Sequence, residues 1–456
     1  MKLKPFHWGF EFYDVFAAEK PIGEWGFDII IGNPPWIQSK IMDSLEKSIY
    51  KTLFRSIGKQ FDSFNLFIER SMEPLNCRGQ FSYVVPNRFL ANPDYSSFRK
   101  YLLENNFIRA IVDVGEGVFV GVTMPALLLF LNKENNQMIQ ITTEVQSLTD
   151  MKGETYILPA KEFSSEENYI LSIYLTPNTL NILCEIERGA EKFGKLFANA
   201  RGVEIGKKSE IVSDIKINED YYPFLVGKDI DRYIIRSQHF IKLGIKGVDY
   251  KDESLYFGPK ILIRKTGRGI NATMDYNNRY VIQVIYIFKP KSEERDARYF
   301  LLLLNSELLK WYYLNKFGEK YKQAFPHLRQ QDILALPVKI ASRQQPFITL
   351  CDYMLFLNET EERRKNEKEL IEFVDKQVID SLVYELYFKE KIEEDGLKTN
   401  LLRVVEPYLK DIEGLKNDEE KLKVIKEVVE KIKGDREVMD EIEQIKGHEW
   451  VRIVEG

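Results

Sequence analysis

An amide, two prolines and an indole stand together at Asn33-Pro34-Pro35-Trp36, directly after the apolar run Phe27-Asp-Ile-Ile-Ile-Gly32. These groups suit one kind of chemistry, the transfer of a methyl group to an exocyclic amine. An aromatic amino group is conjugated with its ring and is a poor nucleophile. Two acceptors that hold its N–H bonds let the nitrogen lone pair turn toward an electrophile. The Asn33 side-chain oxygen and the Pro34 carbonyl can be those acceptors. Proline has no N–H and fixes its own φ, so the turn is stiff and the carbonyl direction is set. Trp36 then offers a flat face to a base drawn out of a duplex. The competing reading is a plain turn with Trp36 in a core. At a proline usage of about 5%, such a tetrapeptide arises by chance in roughly one chain in a hundred.

The elements that must position this turn read as α/β. The spacing predicts strands over 27–32, 80–85, 108–113 and 126–131. A helix is expected from Ser63 to Leu75, with Phe64, Phe67, Ile68 and Leu75 on one side, and another from Tyr95 to Glu104. Strands alternating with helices imply a mainly parallel sheet, whose ligands sit beyond the carboxyl ends of the strands. From about 190 to 340 the pattern changes to short strands, Gly turns and basic residues, with one helix over 297–317. From 344 onward it is helical, including a Lys/Glu-rich helix over 418–446.

Phe27 to Trp36 resembles motif IV of the γ-class amino-methyltransferases, including the TaqI-like and type IIG enzymes. Pro5-Phe-His-Trp-Gly-Phe-Glu-Phe-Tyr-Asp-Val-Phe16 is similar to the segment leading into that motif. Gly79-Gln-Phe-Ser-Tyr-Val-Val-Pro-Asn-Arg-Phe89 resembles the later strand and loop, and Val114-Gly-Glu-Gly-Val-Phe119 resembles motif VIII. The resemblance implies that Asn33, Pro34, Pro35 and Trp36 are catalytic and that Phe119 packs against a flipped adenine. Read alone, Phe119 is equally an ordinary loop anchor. Further on, Gly202, Leu225 to Tyr233, Pro259 to Arg264, Leu304-Asn-Ser306, Phe325-Pro-His-Leu328 and Leu336-Pro337 look like a TaqI-like specificity domain. The specificity subunits of type I systems share that order of features.

Charge is distributed to match. The chain carries a net −5, but residues 195–340 hold 26 Lys/Arg against 17 Asp/Glu, while both flanks are acidic. A basic module between acidic ones fits a polyanion such as duplex DNA. Lys260, Arg264, Lys265 and Arg268 lie along one strand and its Gly turn, where cations can meet phosphates or guanine edges. Arg201, Lys207 and Lys208 form a second, weaker cluster. A solvated strand face explains any single one of these as well.

The family pattern also places before motif IV a strand ending in a Phe-x-Gly-x-Gly loop and an acid that holds the ribose of S-adenosylmethionine. The 32 residues before Asn33 contain no such segment. Its source is expected to be a separate chain, unless the gene product is truncated or the domain is a DNA-binding remnant. Three scattered cysteines and four histidines give no metal or disulfide framework. No apolar run suits a signal or a membrane span, so a cytoplasmic location is expected.

The expectation is therefore α/β: a partial Rossmann-like methyltransferase sheet over 1–150, an α+β target-recognition domain over 190–340 and a helical C-terminal region over 343–456. The implied function is site-specific methylation of adenine N6 from S-adenosylmethionine in a restriction–modification or related phage-defence system. The rival readings are a non-catalytic DNA-binding specificity subunit and an RNA or protein methyltransferase.

Overall fold

The computed structural model of the chain describes residues 7–16, 21, 25–115, 124–143, 145, 152–164, 169–206, 209–267, 269–317 and 328–456. They fall into two compact units, residues 1–178 and 179–456.

The first unit is a six-stranded sheet with helices. Its strands are β1 (Phe27–Gly32), β2 (Leu75–Pro86), β3 (Ile108–Gly115), β4 (Ala126–Leu131), β5 (Met138–Thr143) and β6 (Glu154–Pro159), in the order β1-β2-β4-β3-β5-β6. Helix α1 (Ser44–Leu53) follows the Asn33–Trp36 turn, α2 (Ser63–Met72) carries the chain from β1 toward β2, and α3 (Ser96–Glu104) leads into β3. Phe64, Leu66, Ile68 and Met72 bury one face of α2. Phe67, placed on the apolar side by spacing, is exposed, and Leu75 opens β2 instead of closing the helix.

Parallel pairing holds for β1 with β2 and for β3 with β5; the other three pairs are antiparallel. The sheet is thus less parallel than the alternation of elements implies. The connection from Gly115 at the end of β3 to Ala126 at the start of β4 is shorter than a parallel crossover needs, and neighbours joined that closely pair antiparallel.

Among the described residues β1 pairs only with β2, so it is an edge strand. Its isoleucine-rich run suits a strand covered on both faces. Yet Ile29 is 66% exposed and Ile31 76%.

The second unit contains two four-stranded sheets, in the orders β13-β9-β10-β8 and β12-β11-β14-β7. The strands are β7 (Phe197–Arg201), β8 (Val212–Ser213), β9 (Tyr221–Leu225), β10 (His239–Lys242), β11 (Lys260–Arg264), β12 (Ala272–Asp275), β13 (Tyr280–Val281) and β14 (Ile285–Pro290). Val203, Phe224, Leu225, Ile241, Leu262 and Ile287 form a common core between them. Gly202 is demanded by close approach, since a Cβ there would stand 2.1 Å from the Val281 carbonyl oxygen.

The helix expected over 297–317 is two helices, α4 (Ala297–Asn305) and α5 (Glu307–Lys316). Ser306 between them is extended, and its hydroxyl accepts from the Leu309 N–H, capping α5. Asp435 likewise divides the Lys/Glu-rich stretch into α6 (Asp418–Gly434) and α7 (Arg436–Gly447). Among the described residues no helix is long and apolar enough to cross a membrane.

Candidate functional site

The Asn33–Trp36 turn leaves the carboxyl end of β1 with Asn33 and Pro35 exposed, Pro34 buried and Trp36 half-buried. The buried Pro34 roots the turn, while Asn33 beside it is exposed. The Trp36 indole N–H donates to the Val84 carbonyl of β2 at 3.4 Å, fixing the ring to the neighbouring strand. Gly32 sits against the Tyr83 ring, which a Cβ would approach to 3.1 Å.

Backbone and side-chain hydrogen bonds tie this turn to α2. The segment after Trp36 forms an antiparallel bridge with the residues entering the helix, at Gln38 and Asp62. The Ser39 N–H donates to the Phe61 carbonyl at 2.8 Å, and the Phe61 N–H to the Ser39 hydroxyl at 3.1 Å. Asp62 is buried, paired with Arg88 from the loop after β2, and accepts from the Tyr95 hydroxyl at 2.9 Å. Burial pushes the Asp62 carboxyl above its ordinary range despite the opposing pull of Arg88 and Tyr95. The loops after β1 and β2 are therefore braced to each other at the carboxyl edge. The sequence carried a partial signal of this brace in the Pro86-Asn-Arg-Phe loop, whereas Ser63 read only as a helix start.

In the second unit, the carboxyl ends of β7 and β11 lie at the same end of one sheet. Both strands run antiparallel to β14, where Arg201 pairs with Tyr286 and Arg264 with Ile285. Arg201 is exposed and Lys265 half-exposed, and neither has an acidic partner among the described residues. Arg264 is turned onto its own loop: its Nε donates to the Thr266 carbonyl at 2.7 Å and its guanidinium lies over Gly267.

Lys260 corrects the sequence-based reading. It is 0% exposed and paired with the equally buried Asp275 at 2.7 Å, and its ammonium also donates to the Tyr256 carbonyl at 2.6 Å. Both faces of β11 are covered, so a side chain expected on a solvated, phosphate-facing strand is instead inside the core. Phe119, Lys207, Lys208, Arg268 and the Phe325-Pro-His segment lie outside the described residues.

Two family models match separate parts of the chain. Residues 2–119 match the Eco57I restriction-modification methylase family, and residues 222–338 match the TaqI-like C-terminal specificity domain. A Methanocaldococcus jannaschii protein, provisionally named a type II restriction enzyme and methyltransferase, is 26% identical over 87% of this chain. The Escherichia coli type II restriction enzyme and methyltransferase RM.Eco57I is 28% identical over 56% of this chain. Among solved structures, the type IIL restriction-modification enzyme MmeI in complex with DNA aligns with 12% identity and a TM-score of 0.47, covering 89% of this chain and 57% of that one. The chain spans 33% of the archaeal relative and 24% of the bacterial one. The chain is thus similar, in order, to a restriction-modification methylase over residues 2–119 and to a TaqI-like specificity domain over residues 222–338, the arrangement of the TaqI-like γ-class methyltransferases that carry a specificity domain.

Proposed function

We propose that this chain supplies the amine-holding and DNA-recognising parts of a site-specific DNA methyltransferase of a restriction–modification system, acting in the cytoplasm on adenine N6. The observation that carries the reading is the stiff Asn33-Pro34-Pro35-Trp36 turn, with Asn33 exposed, at the carboxyl edge of β1. In this reading the Asn33 side-chain oxygen and the Pro34 carbonyl accept the two amino hydrogens of an extruded adenine. That draws the nitrogen lone pair out of conjugation and aims it away from the acceptors. Trp36 lies against one face of the base, and Phe119 covers the other. Arg201, Lys265 and, from beyond the described residues, Lys207, Lys208 and Arg268 neutralise phosphates.

S-adenosylmethionine is the donor that the family resemblance implies; when bound it supplies the electrophilic methyl. The described residues beside Asn33 do not by themselves fit it, because no Gly-rich loop with a ribose-holding acid stands there. Among the described residues the edge of β1 is free, with Ile29 and Ile31 bare, which supports a further strand supplied by a cofactor-binding segment.

The test pairs this chain with the product of the neighbouring reading frame and measures methyl transfer to duplex DNA. Asn33→Ala should lower turnover at least about a hundredfold, the scale of losing one preorganised polar group at a reacting centre. DNA affinity should stay within about twofold, since phosphate contacts set it. Full activity in Asn33→Ala would make the turn structural. DNA binding without transfer in any pairing would favour a specificity module.

A further inference from the structure

Prolines fix φ at positions 34 and 35, yet the orientation of the Trp36 ring depends on rotations that proline does not control. These are ψ of Pro35 and φ and ψ of Trp36, which fix where the side chain starts, and χ1 and χ2, which the bond from the indole to the Val84 carbonyl holds. One side chain grips both peptide groups flanking Trp36. The Ser63 hydroxyl donates to the Pro35 carbonyl, which belongs to the peptide before Trp36. It accepts from the Ile37 N–H at 2.9 Å, which belongs to the peptide after it. The Ser63 backbone N–H donates to the Ile37 carbonyl at 2.8 Å, closing a third bond to the same segment.

Ser63 is itself held in place. It is buried at the first position of α2. The preceding Asp62 is anchored by Arg88 and Tyr95, and its own N–H donates to the Asn65 side chain at 2.9 Å. A hydroxyl is the only small group that can donate to a carbonyl and accept from an N–H at the same time. Alanine fills the volume and loses both bonds; threonine keeps both.

We infer that Ser63 is a positioning residue for Trp36: it fixes the backbone that carries the indole against which the target base is to lie, so that the ring can reach the Val84 carbonyl, and the Asp62–Arg88–Tyr95 brace holds Ser63 where it can do so. The catalytic consequence rests on the reading above, whereas the structural consequence does not.

The experiment uses the full chain labelled with 5-fluorotryptophan. Five tryptophans give five fluorine resonances, and Trp36→Phe identifies the one that belongs to Trp36. Ser63→Ala is expected to shift or broaden that resonance while leaving Trp311 and Trp450 in the second unit unchanged, and Ser63→Thr to restore it. Arg88→Met, which leaves Ser63 in place but loosens its anchor, should give a weaker change of the same kind should Ser63→Ala fail to fold. In the reconstituted complex, Ser63→Ala should lower kcat by about 10- to 100-fold, the range that small misplacements produce. KM for DNA should hold, and Ser63→Thr should recover most of kcat. An unmoved Trp36 resonance in Ser63→Ala and Arg88→Met would overturn the inference. A moved resonance with no transfer by the unaltered complex would leave the inference standing and defeat the proposed reaction.

Discussion

Removing the ammonium of Lys260 should damage the fold and spare DNA binding, the reverse of what its place in a basic run suggests. In Lys260→Met the aliphatic stem is kept and the charge lost, inside a strand whose first four residues are all buried. Breaking one side of a buried ion pair costs about 3–5 kcal/mol, chiefly because the abandoned charge stays buried. Asp275 would not be wholly abandoned. It also accepts from the Asn277 and Arg279 N–H groups at 3.0 Å each and from the Arg279 guanidinium at 2.6 Å. The lower end, about 3 kcal/mol, is therefore expected. For a unit of this size, a loss of that order lowers the melting temperature by roughly 6–12 °C. The assay is thermal unfolding of the full chain, with hydrogen exchange locating the loss to β11 and β12. Adding Asp275→Asn should recover part of it, because contacting partners are not additive. DNA affinity of the folded protein should be unchanged. A normal melting temperature together with weaker, less salt-sensitive DNA binding would refute the reasoning.

Acid should reach the same pair. Burial opposes the Asp275 charge, but Lys260 and the two backbone N–H groups outweigh it and hold the carboxyl below its ordinary range. Its contribution is then complete above the unfolded value of about 3.9 and is lost as pH falls through the lower folded value; a melting temperature rising from pH 5 to pH 3 would contradict this. Arg201→Gln with Lys265→Gln should reduce the slope of log affinity against log salt by about 1.8 if both meet phosphates, and an unchanged slope moves the DNA face elsewhere. Gly202→Ala forces a Cβ onto the Val281 carbonyl and should destabilise the second unit by at least about 1–3 kcal/mol, seen as lost protection around β13. Trp36→Ala should remove about 1–3 kcal/mol of base stacking, read as weaker 2-aminopurine fluorescence at the target position of DNA bound to the reconstituted complex.

Much of the first unit was legible because its strands are continuous apolar runs bounded by turn residues. Phe27–Gly32 and Ala126–Leu131 begin and end where the sequence places them. The Asn33–Trp36 turn was legible for a related reason: its chemistry is local, four adjacent residues needing no partner to be recognised. What failed was whatever depends on register. Lys260 looked like a surface cation until the antiparallel pairing of β11 with β12 set it opposite Asp275, fifteen positions along the chain. Ser63 read as a helix start because its bonds reach back to residues near Trp36. The break at Ser306 hid within an apolar helical pattern, since a serine cap and a helical interior serine look alike without the backbone angle.

The bare edge of β1 also makes the behaviour of this chain a matter of dose. Two copies meeting edge to edge would extend both sheets into one and line up Ile29 and Ile31 on a shared face, and an exposed apolar edge strand is the feature from which ordered aggregates grow. Pairing of that kind rises with concentration, so diluting the isolated chain protects it better than strengthening its core.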